Sequence, residues 1–273
     1  AASVRAAAVR AAVVRMDVSR SCDRGHAMRA PGRCQPSGWH AGGRSPRLPA
    51  MCGRFVITLP DDAMARLFDA VPGNDLPQTP NYNICPTNRV HAVRSLDGRR
   101  RLGAMRWGFL PHWYDTPEDG PLLINARAES VADKPAFRKA CRERRCLIPA
   151  TGFYEWTRDA EGNRLPWFVH RTDDAPFAFA GIWQDWAPKD GGETQATCAI
   201  VTTEANAALS HIHTRMPVVV AQDDWPLWLG EAGRGAATLM RPAPEDAFTA
   251  HRVGPKVNSN RATGADLIAP LAA

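Results

Sequence analysis

The chain has 273 residues, 44% of them hydrophobic and 23% charged, enough for one good core or two small ones. No run of eighteen apolar residues occurs, so no segment reads as a membrane-spanning helix. The formal net charge of +6 suggests a polyanionic partner, but the first fifty residues hold nine arginines against two aspartates. The remainder is close to neutral, and any nucleic-acid contact there needs a local basic groove.

Residues 1–51 are rich in Ala, Arg, Gly and Ser, with Trp39 their one aromatic. The segment reads as an Arg-rich targeting sequence, as a basic nucleic-acid arm, or as a stretch that the working protein lacks. The last reading is preferred, because the segment has no means of burying a core and ends where Met51-Cys52 opens a globular pattern. Disorder is expected over 1–51, absence from the mature protein as well, and one domain over 52–268.

Residues 52–58 read as a strand. A helix is expected over 61–71, with Asp61 as its cap and Met64, Leu67, Phe68 and Val71 at helical spacing. Pro72-Gly73 ends it. The Pro- and Asn-rich stretch 77–89 reads as a loop, and 90–95 with 101–106 as a hairpin around Asp97-Gly98. Residues 122–130 lead back into the core, and 135–144 is a helix with a proline near its first turn. Short strands are expected over 146–150, 153–157, 166–170, 177–183, 196–203, 216–221 and 248–253, and short helices over 204–211 and 225–229. Many short strands, few helices and no βαβ rhythm give an α+β fold. A single domain of curved, mainly antiparallel, barrel-like sheet with a few short flanking helices is expected.

The seven cysteines (Cys22, Cys34, Cys52, Cys85, Cys141, Cys146, Cys198) include no CxxC pair. A reduced, cytoplasmic protein without a zinc ribbon is the simplest reading. Cys141 and Cys146 have no second close pair to complete a ligand set.

Four stretches carry candidate chemistry. Cys52 in a strand would ordinarily be a small buried hydrophobe. Placed after a removable methionine, it would instead present a thiol and an α-amine on neighbouring atoms, both partly nucleophilic at neutral pH. An aldehyde meeting that pair forms a Schiff base, and the thiol then closes a thiazolidine ring. Asn125, Arg127 and Glu129 alternate, so on a strand they share one face, either solvated or functional. Glu155 lies among aromatics, where a carboxylate is suited to moving protons, unless it simply points outward. His211 and His213 are two apart: a metal pair without an evident third ligand, a catalytic histidine beside Arg215, or structural side chains. The tryptophans are core by default, but Trp107 and Trp156 sit beside these motifs and could stack on bases.

Together, Met-Cys-Gly-Arg-Phe (51–55), Tyr-Asn-Ile-Cys-Pro-Thr (82–87), Arg-Trp-Gly-Phe (106–109), Asn-Ala-Arg-Ala-Glu (125–129), Arg-Cys-Leu-Ile-Pro-Ala-Thr-Gly-Phe-Tyr-Glu-Trp (145–156) and His-Thr-Arg-Met-Pro (213–217) resemble the SOS-response-associated peptidase (SRAP) family of abasic-site processing proteins. The resemblance runs from residue 51 to about 267. It implies a DNA damage response protein that traps abasic sites in single-stranded DNA through a reversible thiazolidine crosslink, without a metal or other cofactor and as a monomer. Cys52 would form the crosslink, Asn125 hold its α-amine or the sugar, Glu155 handle protons at the amine, and His213 assist sugar-ring opening and release. Arg54, Arg127 and Arg215 would contact phosphates, with Pro86, Trp107, Trp156 and Thr202 along the strand's path. The family is also described as self-processing, which suits removal of residues ahead of the cysteine. Cys85 departs from the family's alanine and reads as a packing residue. Competing functions are a general cysteine peptidase using Cys52 and His213, and a non-covalent single-strand reader.

Overall fold

A computed structural model describes residues 53–271; Cys52 and the stretch before it lie outside the described residues. Two sheets packed face to face make up the architecture. The first has five strands in the order β14-β9-β8-β1-β3, comprising β1 (Phe55–Ile57), β3 (Asn81–Ile84), β8 (Gly152–Arg158), β9 (Arg164–Arg171) and β14 (Phe248–Arg252). The second has β12 (Arg215–Pro217), β11 (Gln195–Glu204), β10 (Phe177–Trp186), β7 (Arg145–Ala150), β4 (Arg89–Leu96), β5 (Arg99–Trp107) and β2 (Ala70–Pro72) in that order. Two further strands join it at its sides: β6 (Asn125–Arg127) pairs with β11 and β13 (Val219–Val220) with β10. The second sheet curls until β5 meets β11 in parallel, but through only two residue pairs, Thr197↔Arg106 and Cys198↔Trp107. The result is a ring-like barrel that does not fully close. Its helices are short: α1 (Asp61–Leu67), α2 (Arg138–Glu143), α3 (Ala207–Ser210) and α4 (Trp225–Leu229). None of the described helices is long and apolar enough to cross a membrane.

Local chemistry explains most of these elements. Asp97 and Gly98 both adopt positive φ (50° and 73°), as a two-residue hairpin turn demands, and β4 pairs with β5 over eight residue pairs. β10 and β11 are ten residues each and buried along nearly their whole length, because each is covered on both faces. α4 has a proline in its first turn and closes on Gly230 at φ 86°. Gly152 must be glycine: a Cβ there would meet the Phe168 ring at 2.2 Å.

Three expectations are corrected. The helix expected over 61–71 ends four residues early, because Asp69 turns to φ 48° and Val71 pairs in parallel with β5; Val71 is exposed, not core. The segment expected to be a loop over 77–89 contains β3, whose backbone is claimed by β1. The strand expected over 216–221 is two strands, β12 and β13, on different neighbours, with Val218 between them.

The sheets meet through aromatic side chains. Phe55 of β1 packs edge-on against Trp107 and Phe179, with ring centroids 5.2 and 5.7 Å apart, and Phe153 of β8 packs on Phe179 and Phe248. These edge-to-face contacts are the favoured aromatic geometry. β8 alternates between two clusters. Phe153 enters this main core, and Tyr154 enters a second cluster with Val56, Phe168, Val257 and Leu267 on the outer face of the first sheet.

Candidate active site

The candidate site lies between the β1–β8 pair of the first sheet and strands β6, β11 and β12 of the second. On one side is the pair β1–β8. Its register sets Phe55 opposite Phe153, and Tyr154 donates its backbone N–H to the Arg54 carbonyl at 2.9 Å. Continued two residues beyond the Phe55–Phe153 pair, the same register sets Gly53, just ahead of β1, opposite Glu155. Glu155 shares the face of Phe153, is only 4% exposed, and lies directly opposite Trp167 of β9. The carboxylate therefore points inward between the sheets, and the outward alternative is set aside.

The other side is built by β6, β11 and β12. Asn125, Ala126 and Arg127 run parallel to Ile200, Val201 and Thr202. Asn125 is half-buried and Arg127 exposed. Arg215 reaches across to Glu129 as a bidentate ion pair at 2.6 and 2.9 Å, and also donates to the Thr202 carbonyl at 2.8 Å. That guanidinium holds the Glu129 carboxyl below the usual carboxylate range. Arg215 donates its backbone N–H to His213 Nδ1 at 3.0 Å. With Nδ1 accepting, the proton of the neutral imidazole sits on Nε2. Burial, reinforced by the nearby Arg215 charge, pushes the His213 pKa down and favours that neutral form.

Two contacts tie the sides together. Trp107, packed on Phe55, donates Nε1–H to the carbonyl of Ile124, the residue before Asn125, at 3.0 Å. Trp167, opposite Glu155, meets His211 edge-on at 5.7 Å, so the histidine turn comes over the β8–β9 pair.

The residues expected along a bound strand are not equally available. Arg127 is exposed and Pro86 half-buried beside exposed Thr87. Thr202 and Trp107 are wholly buried, so Trp107 offers no ring face for stacking in this arrangement. Trp156 is half-buried on the outer face of β8, with Arg164 over its ring at 4.3 Å and Arg54 at 5.8 Å, and donates Nε1–H to Asn258 at 2.7 Å. Arg54 is 6% exposed and donates to Asn83, Asn260 and the Val257 carbonyl, which leaves it poorly disposed to take a phosphate.

Sequence reasoning missed two groups. Trp113 is 44% exposed and is the large aromatic most open to a ligand among the described residues; its place beside Pro111 and His112, next to the 106–109 motif, was the available signal. Asn83 and Asn260, which hold Arg54, carry no local signal, because they lie 29 and 206 positions from it.

The described thiols are all poor nucleophiles. Burial pushes Cys85, Cys141 and Cys146 up, and Cys198 up to about 12. A thiol that stays protonated at neutral pH neither attacks nor binds metal well.

A model of the SOS response associated peptidase (SRAP) family matches residues 51–260. The chain is 36% identical over 224 residues to the abasic site processing protein YoaM of Bacillus subtilis (strain 168), covering 80% of this chain and 97% of that protein. It is 30% identical over 230 residues to the abasic site processing protein YedK of Escherichia coli (strain K12), covering 81% of this chain and all of that protein. A crystal structure of a protein from Bacteroides thetaiotaomicron shares the fold, with a TM-score of 0.71 at 24% identity over 81% of this chain and 100% of that one. With a family match over most of its length and relatives aligned almost end to end, this chain belongs to the SRAP family.

Proposed function

We propose that this protein processes abasic sites in single-stranded DNA by forming a reversible covalent crosslink through Cys52. The observation that carries this reading is the β1–β8 register, which continued to Gly53, the residue after Cys52 in sequence, sets it opposite the buried Glu155. Support also comes from the elevated pKa of each described cysteine, which leaves them unsuited to attack, and from the relatives named as abasic site processing proteins.

The chemistry balances without a redox partner. The Cys52 α-amine adds to the C1′ aldehyde of the opened deoxyribose and loses water, giving an imine. The thiol then adds across the C=N bond: a C–S bond forms and the nitrogen takes the proton. Glu155 moves protons at the nitrogen, in both directions, as a carboxylate held away from bulk water can. Asn125 holds the amine or the sugar hydroxyl. His213, neutral with Nε2–H outward, assists sugar-ring opening, which exposes the aldehyde, and later release. Arg127 supplies the open phosphate contact. The mechanism requires a free α-amine on Cys52, so residues 1–51 must be absent from the acting protein, by initiation at Met51 and its removal or by self-cleavage.

Intact mass of the protein from its host, followed by incubation with an abasic single strand and a denaturing gel, tests the reading. A chain beginning at Cys52 and a heat-stable adduct lost in Cys52→Ala are expected. An undiminished adduct in Cys52→Ala ends it. Binding of intact and abasic strands alike without an adduct favours a non-covalent reader, and turnover of unrelated peptides favours a general peptidase.

A further inference from the structure

Arg54 is two residues from the proposed nucleophile and is 6% exposed. Its Nη1 donates to Asn83 Oδ1 at 2.6 Å and to the Val257 carbonyl at 2.8 Å, and its Nη2 donates to Asn260 Oδ1 at 2.6 Å. These acceptors are all neutral, and no carboxylate pairs with Arg54 among the described residues. A guanidinium kept from water without a counter-charge is costly, and it persists only where several hydrogen bonds fix it. Two of those three bonds come from a segment more than two hundred positions away, which is itself anchored: Asn83, the third acceptor, donates to the Ser259 and Ala262 carbonyls, Trp156 donates to Asn258, and Val257 is fully buried. Both terminal amino groups of Arg54 are thereby occupied, and they point away from solvent.

We infer that Arg54 is a positioning residue: the 257–262 segment and Asn83 clamp its guanidinium, and this fixes β1 and Gly53 against β8 and Glu155. The clamp acts at the backbone. Arg54 accepts the Tyr154 N–H through its carbonyl while its side chain is tied to the C-terminal segment, so the first described strand is held from both sides. β1 has three residues, and its register with β3 shifts between Phe55 and Ile57, so its ladders alone hold it weakly. A misplacement near 1 Å at a reacting amine costs on the order of a hundredfold in rate, so a clamp of this kind controls turnover without touching DNA.

This inference rests on the function proposed above. The exposed Asn260 is the residue to change, because its removal spares the core. Asn260→Ala is expected to slow single-turnover adduct formation at least tenfold at saturating DNA. Its non-covalent affinity for a strand carrying a tetrahydrofuran in place of the abasic sugar, which has no aldehyde, is expected to stay within twofold. Asn260→Asp, which keeps the acceptor, is expected to restore the rate to within threefold. Amide hydrogen exchange at Arg54–Val56 is expected to speed up in Asn260→Ala and not in Asn260→Asp. An unchanged adduct rate overturns the inference, whether or not exchange changes. So does a tenfold loss of tetrahydrofuran-strand affinity with the saturated rate intact, which would make Arg54 a phosphate contact. If the unaltered protein forms no adduct, the proposed function fails instead, and exchange alone decides the clamp: faster exchange in Asn260→Ala retains it and unchanged exchange refutes it.

Discussion

The two sides of the site hold their arginines in opposite ways. On the β1–β8 side, Arg54 is buried among neutral acceptors, two of them supplied from the far end of the chain and the third by Asn83 of β3. On the β6–β11–β12 side, Arg127 is exposed, and Arg215 is paired with a half-exposed carboxylate, Glu129, only 86 positions away. The first arrangement is buried and uses neutral acceptors, so dissolved salt has little to screen. The second is exchangeable, because a phosphate can compete with Glu129 for the same fork of donors. One side therefore suits holding reacting atoms and the other suits receiving a backbone of phosphates.

That contrast can be broken in several places. The largest effect is expected where both sides depend on one contact. Phe153→Ala removes the ring joining β8 to Phe179 and Phe248, at a cost of about 3–5 kcal/mol, read as a lower urea midpoint. Next, Glu155→Gln is expected to slow adduct formation about a hundredfold, the low end for loss of a general acid–base group, with strand affinity unchanged. A matching loss of affinity would move Glu155 from chemistry to binding. Arg127→Ala is expected to weaken strand binding roughly tenfold and to reduce the slope of log affinity against log salt by about 0.7. If the slope does not change, Arg127 is not a phosphate contact. Glu129→Gln, which releases Arg215, is expected to raise strand affinity a few-fold at low salt and less at high salt, in filter-binding titrations.

The smallest effect concerns pH. His91 and His213 are both pushed below the usual histidine value by burial, with the His91 shift partly offset by Asp61 at 2.9 Å. A depressed histidine pKa means that the unfolded chain takes up the proton first. The corresponding stability is full above about 6.5 and is lost as pH falls from there through the folded-state values. The urea midpoint is expected to be lower at pH 5 than at pH 7.5, with a smaller difference in His91→Gln.

Much of this was legible in the sequence, and particular residues show why. Asp97-Gly98 announces its hairpin because the turn needs two positive φ angles that few residues tolerate. Phe153 and Glu155 could be assigned one face from period two alone, and both are buried together. Val71 was misread because helical spacing continued past the point where Asp69 reversed the chain, and β5 offered the next residues a ladder. Strand β3 was hidden in a Pro- and Asn-rich stretch because its strand character comes from its neighbour β1, not from its own composition.

Local pattern thus determined the short elements, the alternation of β8, and which motifs carry carboxylate, amide, imidazole and guanidinium. Tertiary structure alone decided which of those groups are open. Exposure is a property of everything packed around a side chain, and the parts around Arg54 and Trp107 come from distant strands and from the C-terminal segment. Two arginines drawn from different motifs of one family, Arg54 and Arg127, can look equivalent in sequence. Only the fold makes one a buried tether and the other an open cation, because burial and hydrogen-bond partners are set by contacts that sequence distance does not record.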